Sequence, residues 1–234
     1  MLQPRTYPKM LGKALFFEAD PFVVMIDDDE PWQEGLFMTV LIGLLIGLAQ
    51  LIGGLLLTAS LPASNAVRVA FSRAWHIASV DLPPEFVVSG DSLIDNVFQW
   101  FGLLSGYGAS WERLFVLIWI PLALIVQWLL FSVIGHYVAR GMGGSGELNQ
   151  TMGATALMIA PQTLLLLRVV PFVSISGTLL FVWSLLVAYR ALEVAHELPW
   201  KQAAWATLIP AILTAVLTAG FGLLAGASAI FWGV

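Results

Sequence analysis

Four glycines fall within the seven residues GMGGSGE at 141–147, and glycine-rich turns that lead into a helix are typical of phosphate-binding loops. A Walker-type loop requires a lysine and then serine or threonine after its last glycine, but here Glu147 follows Gly146 and would repel a phosphate. No strand pattern precedes the turn. The sequence therefore predicts a hairpin loop between two helices, with Asn149 or Thr151 as the N-cap of the second.

Five ionisable residues form a candidate cluster near the cytoplasmic ends of two apolar stretches: His136, Arg140, Arg190, Glu193 and His196. Arg190 and Glu193 are one helical turn apart and can pair. A metal site made of the two histidines, Glu193 and Glu147 would take its ligands from separate segments without motif spacing. We therefore expect no metal, no cofactor and no catalytic residue.

Three amide side chains, Gln50, Gln127 and Gln162, lie near the middle of apolar stretches, and Gln162 follows Pro161. A proline inside a helix removes a backbone hydrogen bond, and the carbonyl that it leaves without a donor can coordinate a solute or ion. Hydrogen bonds between neighbouring helices explain the same amides. Both interpretations, a pathway and helix-to-helix bonding, stay open at this point.

The chain that must position these residues is strongly apolar: of 234 residues, 59% are hydrophobic and 11% charged, where soluble domains carry about 25% charged residues. Five stretches are long enough to cross a bilayer. The sequence therefore predicts an all-α integral membrane protein with five transmembrane helices and interfacial amphipathic segments. The spans run over about 36–61, 114–139, 152–170, 175–194 and 203–225.

Five spans place the two termini on opposite sides of the membrane. With the N-terminus in the cytoplasm, six lysines and arginines lie inside against four outside, which favours this orientation. We expect a multi-pass protein of the inner, cytoplasmic membrane with its C-terminus outside. Residues 1–35 would form a cytoplasmic amphipathic and acidic segment, and residues 36–234 the membrane domain with an outer loop at 62–113.

The outer loop and the N-terminal segment both contain amphipathic stretches. In the loop, Ser92 and Asp95 have the spacing of a capping box and open a candidate interfacial helix of about 12 residues. The stretch at 65–78 offers Arg68 and Arg73 to lipid phosphates. These stretches either lie in the membrane interface or cover the ends of the bundle. The acidic run at 26–31 is either a solvated face or a docking patch for a basic partner.

Small residues at helical spacing mark candidate helix-packing contacts, because they let two backbones approach closely. Such contacts serve either internal packing or a second subunit. The residues are Gly43 and Gly47 in the first span and Ala211, Ala215, Ala219, Gly222 and Gly226 in the fifth.

Three stretches together resemble the Yip-domain family, membrane proteins that interact with Rab-type GTPases. They are an acidic Pro- and Trp-containing entry to the first span at 19–47, a glycine turn before a helix with a proline break at 143–165, and a helix, short His-containing turn and restart at 181–210. The resemblance implies a five-helix bundle with a cytoplasmic N-terminus. The short loops of the chain are similar to those of the prokaryotic branch of the family, whose members have no settled activity.

These observations favour a non-enzymatic membrane protein that acts as a scaffold, an accessory subunit or a membrane-organising protein. The expected partners are membrane lipids and either another protein or a second copy of the chain. With a net charge of −5, we expect no nucleic-acid partner. The alternative function is a carrier or channel for a small polar or lipidic solute, which would use the amides and Pro161.

Overall fold

The chain is all helical in the part that the computed structural model describes, which is residues 4–60, 62, 64–105 and 112–232. Side chains are described as far as Val216, apart from those at 58, 101–105, 112 and 113. Two segments are 3-10 helix, Pro4–Thr6 and Leu157–Val169. The α-helices of these residues are α1 (Tyr7–Leu15), α2 (Asp20–Ile26), α3 (Pro31–Ser60), α4 (Ser64–Ala78), α5 (Pro84–Ser105), α6 (Glu112–Gly141), α7 (Leu148–Ala156), α8 (Gly177–His196) and α9 (Trp200–Trp232).

Four stretches of the described residues are long and apolar enough to cross a membrane: Pro31–Leu57, Leu114–Gly141, Leu148–Val169 and Gly177–His196. They correspond to the first four predicted spans, and the all-α membrane class is confirmed. The predicted number of five is one too high for this part of the chain. The fifth predicted span coincides with α9, but its second half lies beyond the described side chains, and the predicted end of the first span at Leu61 lies outside the described residues.

The third span changes its helix type half-way. α7 gives way at Leu157 to 13 residues of 3-10 helix that contain Pro161. Proline has no N–H to donate to the carbonyl four residues earlier, so the α-helical pattern fails at this position. At about 2 Å per residue the 3-10 part extends over about 26 Å. The span predicted over 152–170 is therefore helical, but most of it is 3-10 helix and not α-helix.

The N-cap of α7 is Glu147, not Asn149 or Thr151 as predicted. The backbone N–H of Glu147 donates to Oε1 of Gln150 at 3.0 Å, as in a capping box. Helix α7 starts at Leu148, directly after the glycine turn, so both predicted caps fall inside it. Asn149 instead bonds to the start of α3, where its Oδ1 accepts a hydrogen bond from the backbone N–H of Trp32 at 2.9 Å.

The chain divides into two compact units. The first contains the described residues of 1–43, 121–164 and 175–233, and within it α2 contacts both α7 and α8. Pro21, Phe22 and Met25 of α2 are buried there. The N-terminal segment, one of the expected interfacial stretches, therefore packs against helices of the bundle.

The second unit contains the described residues of 44–120 and 165–174. Within it α4 and α5 contact each other. The interfacial helix predicted from Ser92 is part of the longer α5, which begins eight residues earlier at Pro84, a residue suited to the first turn of a helix.

Small residues bring helices close within each unit. In the first, a Cβ added to Gly43 would lie 2.6 Å from Cα of Pro121. In the second, a Cβ on Gly47 would lie 3.3 Å from Cα of Leu117. Ala211 is buried and Ala215 is exposed. The surroundings of Ala219, Gly222 and Gly226 lie outside the described residues.

We predict that Gly43→Ala destabilises the protein. The new methyl group meets the backbone of Pro121, which cannot move aside as a flexible side chain would, and overpacking of this kind costs about 1–3 kcal/mol. The measurement is the free energy of unfolding in one detergent. Gly12→Ala is the matched control, because its Cβ meets no atom within 4 Å. Equal stabilities of the two variants would contradict the close contact.

Candidate functional site

A line of buried polar side chains runs between α6, α7 and α8 in the first unit. Ser132 and His136 lie four residues apart on α6, and Thr151 and Thr155 lie four residues apart on α7. His196 ends α8. Residues four apart share a helix face, so α6 and α7 can meet along these polar stripes. All five side chains are buried.

The hydroxyl of Thr151 joins the two histidines. Its Oγ1 lies 3.0 Å from Nδ1 of His136 and 2.9 Å from Nε2 of His196, and it donates to the carbonyl of Glu147 at 2.8 Å. A hydroxyl has one proton. Since that proton goes to Glu147, we assign the N–H of each ring to the nitrogen that faces Thr151.

This assignment decides what the triad of His136, Thr151 and His196 can do chemically. A general base must accept the proton of the nucleophile, but both rings donate to this hydroxyl. In this arrangement the hydroxyl of Thr151 links three helices. The ring centroids of the two histidines are 5.2 Å apart.

The glycine turn covers His196. A Cβ on Gly144 would lie 2.8 Å from Nδ1 of His196, and one on Gly146 would clash with the carbonyl oxygen of Ala195. The backbone N–H of Ser145 donates to the carbonyl of His196 at 3.2 Å. Arg140 donates to the carbonyls of Gly144 and Ser145, at 3.3 Å each. The glycines thus permit a close contact with the end of α8.

A second polar contact lies one turn along the same helices. Oγ of Ser132 and Oγ1 of Thr155 are 2.6 Å apart. Each hydroxyl also lies within hydrogen-bonding distance of the carbonyl four residues before it, that of Trp128 or Thr151. Since a hydroxyl has one proton, one of the two donates to its carbonyl and the other donates to that first hydroxyl. The indole N–H of Trp128 donates to the carbonyl of Met152 at 3.0 Å. These bonds fasten α6 to α7.

Two of the three predicted amides lie at one cavity in the first unit. Gln127 and Gln162 line a small cavity beside Trp128 and Ser184, with room for about one water molecule. Nε2 of Gln162 lies 3.5 Å from Oγ of Ser184, and Pro161 is buried. Gln50 belongs to the second unit, where its Oε1 accepts Nη1 of Arg168 at 3.0 Å.

The five ionisable residues predicted as a cluster take part in separate interactions. Arg190 pairs with Glu193, which also accepts the hydroxyl of Tyr189 at 3.5 Å. His136 and His196 meet at Thr151, as described above. Among the described residues, no group of three or more His, Asp or Glu side chains is placed to hold a metal ion.

The sequence analysis missed a buried pair between Tyr7 of α1 and Glu34 of α3. Their side chains are 2% and 1% exposed, and the hydroxyl of Tyr7 donates to Oε1 of Glu34. Burial first, then this hydrogen bond and the charge of Glu34, raise the pKa of Tyr7 above its ordinary value. In the sequence, Glu34 closely follows the acidic run at 26–31. Only its hydrogen bond to Tyr7, 27 residues away, distinguishes it from the carboxylates of that run.

Comparison with known proteins gives one family. The sequence model of the Yip1 domain matches residues 13–222, a range that includes all three stretches on which the resemblance was based. No curated protein and no solved structure matches the chain.

We predict that Thr151→Val lowers the free energy of unfolding by about 2 kcal/mol or more, because it leaves a buried N–H on each histidine without an acceptor. The measurement is denaturation at constant detergent concentration. Thr207→Val is the matched control: Thr207 is also buried, but its hydroxyl donates to the carbonyl of Ala203 in its own helix, so the cost is about 1 kcal/mol or less. If Thr207→Val lowered the free energy of unfolding as much as Thr151→Val, the hydrogen bonds between Thr151 and the two histidines would add nothing to stability.

We also predict a stability change at alkaline pH that depends on Tyr7. The fold raises the pKa of Tyr7, so its contribution to stability is complete below the ordinary value of about 10 and declines as the pH rises past it. Unfolding free energies between about pH 8 and pH 11 measure the decline. Tyr7→Phe should remove the part of this decline that Tyr7 causes. Tyr137→Phe changes an exposed tyrosine and should leave the decline unchanged. Identical pH profiles of the two variants would refute the assignment.

Proposed function

The chain belongs to the Yip1 domain family, and from that premise we propose that this multi-pass membrane protein is a non-enzymatic organiser of other membrane components. It would act as a scaffold, an accessory subunit or a membrane-organising protein. We further propose that it lies in the inner, cytoplasmic membrane with its N-terminus inside, as the weak excess of lysine and arginine on that side favours.

The observation that carries the proposal is the attachment of the N-terminal segment to the helices of the first unit. The indole N–H of Trp183 on α8 donates to the carbonyl of Leu15 at 3.1 Å. Tyr7 bonds to Glu34, and Phe22 and Met25 are completely buried. A segment held in this way presents its exposed side chains in a fixed arrangement, which lowers the entropy lost on binding a partner.

The surface that this segment presents is acidic with apolar neighbours. Asp27, Asp29 and Glu30 are exposed in the turn between α2 and α3. Val23 and Val24 are 42% and 43% exposed on α2 itself. Carboxylates beside apolar side chains suit a partner that offers lysine or arginine around an apolar centre.

The buried polar side chains support an organiser over a carrier. The triad of His136, Thr151 and His196 and the contact between Ser132 and Thr155 join helices to each other. The cavity at Gln127 and Gln162 has room for about one water molecule. The 3-10 segment with Pro161 is the feature that favours the carrier, because such stretches often mark moving parts of helices.

We predict that the protein, extracted from its native membrane without detergent, migrates in a complex heavier than its own 25.4 kDa. The double variant Asp27→Asn, Asp29→Asn should release the partner, since it removes two exposed charges from the acidic turn. The double variant Asp81→Asn, Glu85→Gln removes two exposed charges beside the turn between α4 and α5 and should keep the complex. Native gel electrophoresis with mass spectrometry of the band measures both.

Two results would contradict the proposal. One is a lone monomer with no stoichiometric partner in the native extract. The other is solute flux across proteoliposomes that Gln162→Leu reduces, which would assign the cavity to a carrier.

A further inference from the structure

Helices α4 and α5 place polar side chains between them. Nη1 of Arg68 lies 2.6 Å from Oδ1 of Asp95. Asp91 accepts the hydroxyl of Ser72 at 3.0 Å and lies 3.1 Å from Nε2 of His76. All these contacts cross from one helix to the other. The polar faces of the two helices therefore satisfy much of their hydrogen-bonding capacity with each other.

Aromatic side chains take part in the contact between the two helices. Phe71 meets Phe98 edge-on, with ring centroids 5.6 Å apart. Trp75 lies against Gly90, and its indole N–H donates to the carbonyl of Val87 at 3.1 Å. The indole is thus bonded to protein and does not require water.

Large apolar side chains point away from this interface. The ion-paired side chains are partly exposed as well, from 34% at Asp91 to 60% at Asp95, so the pair exposes both polar and large apolar side chains. A cluster of exposed large apolar side chains is uncommon on a surface that faces water. The environment that suits an apolar exterior is itself apolar. The exposed residues are Ile77, Val80, Phe86, Val88, Leu93, Val97 and Trp100, all more than half exposed.

The connections of this helical pair identify that environment. The chain enters it from the end of the span Pro31–Leu57 and leaves it for the span that begins at Leu114. A chain that crosses the bilayer once in each span has both of these ends on the same membrane face. The pair is therefore held at the surface of the bilayer by both of its ends.

The basic residues of α4 fit the same location. Arg73 is exposed and lies four residues before Ile77, so the two share a face of the helix. An arginine beside apolar side chains can extend its guanidinium to a lipid phosphate while its methylene groups stay in the apolar layer. Charge and apolar surface together suit a lipid headgroup boundary.

We infer that α4 and α5 form a lipid-binding hairpin that sits in the interface of the bilayer crossed by the neighbouring spans. Its exposed apolar side chains enter the acyl boundary, and Arg73 contacts phosphates. This inference goes beyond the proposed function, because it requires no protein partner and involves the opposite end of α3 from the acidic turn. It can hold or fail independently of the native complex.

The absence of cysteine from the chain makes the test direct. Single cysteines at Ile77 and Leu93, in the full-length protein, carry a nitroxide label in vesicles of phosphatidylethanolamine and phosphatidylglycerol. Oxygen dissolves in the apolar layer and a nickel chelate in water, so the ratio of the two relaxation effects reports on the surroundings of the label. Cysteines at Glu85 and Gln99, both exposed polar positions on α5, are the matched controls.

We expect the oxygen-to-nickel ratio at Ile77 and Leu93 to exceed that at Glu85 and Gln99 several-fold. Each change replaces one exposed side chain and leaves the ion pairs between the helices intact. Equal nickel access at all four positions would place the hairpin in water and overturn the inference. Low access of both reagents at Ile77 and Leu93 would show a protein cover, such as a second copy, and would overturn it as well.

Discussion

The absence of water in a bilayer governs this structure, because a polar group buried there must find its partner within the protein. At Thr151 one hydroxyl serves both histidines and a backbone carbonyl, while Nδ1 of His196 is buried without a partner among the described residues. The pairing of Arg168 with Gln50 in the second unit follows that rule. Glu34 is the most demanding case, because a carboxylate that is 1% exposed accepts the hydroxyl of Tyr7. The hydrogen bond that satisfies Glu34 therefore also holds Tyr7, and with it the N-terminal segment, in place.

Close contact between helices is the condition for these short bonds. A side chain of two or three atoms reaches its partner only where the backbones approach, and glycine permits the approach. This explains why the glycine turn, which has the composition of a phosphate loop, instead covers a histidine. Gly144 and Gly146 bring the turn against the end of α8, and Ser145 bonds to the carbonyl of His196. The same composition serves phosphate binding or packing, and the residue after the last glycine separates the two.

The sequence was informative where a property depends on neighbouring residues and silent where it depends on distant ones. The helical class and four spans follow from local hydropathy and were predicted correctly. His136 and His196 were identified as members of a cluster, but Thr151, which joins them, had the pattern of a helix cap. The bond from Tyr7 to Glu34 connects residues 27 positions apart, and no periodicity indicates it. The 3-10 segment was also missed, since Pro161 predicts a break but not the geometry that follows.

The hairpin of α4 and α5 shows the same constraint acting on a different surface. In the buried line of the first unit, polar side chains turn inward because the helices are surrounded by apolar groups. In the hairpin, Arg68, Ser72 and His76 turn toward the two aspartates of α5 while Ile77 and Leu93 face outward. Large apolar side chains such as Ile77 and Leu93 lose the stabilisation that burial gives if they face water. A lipid exterior, as inferred for the hairpin, would remove that loss, and the same solvent would then surround both the spans and the hairpin.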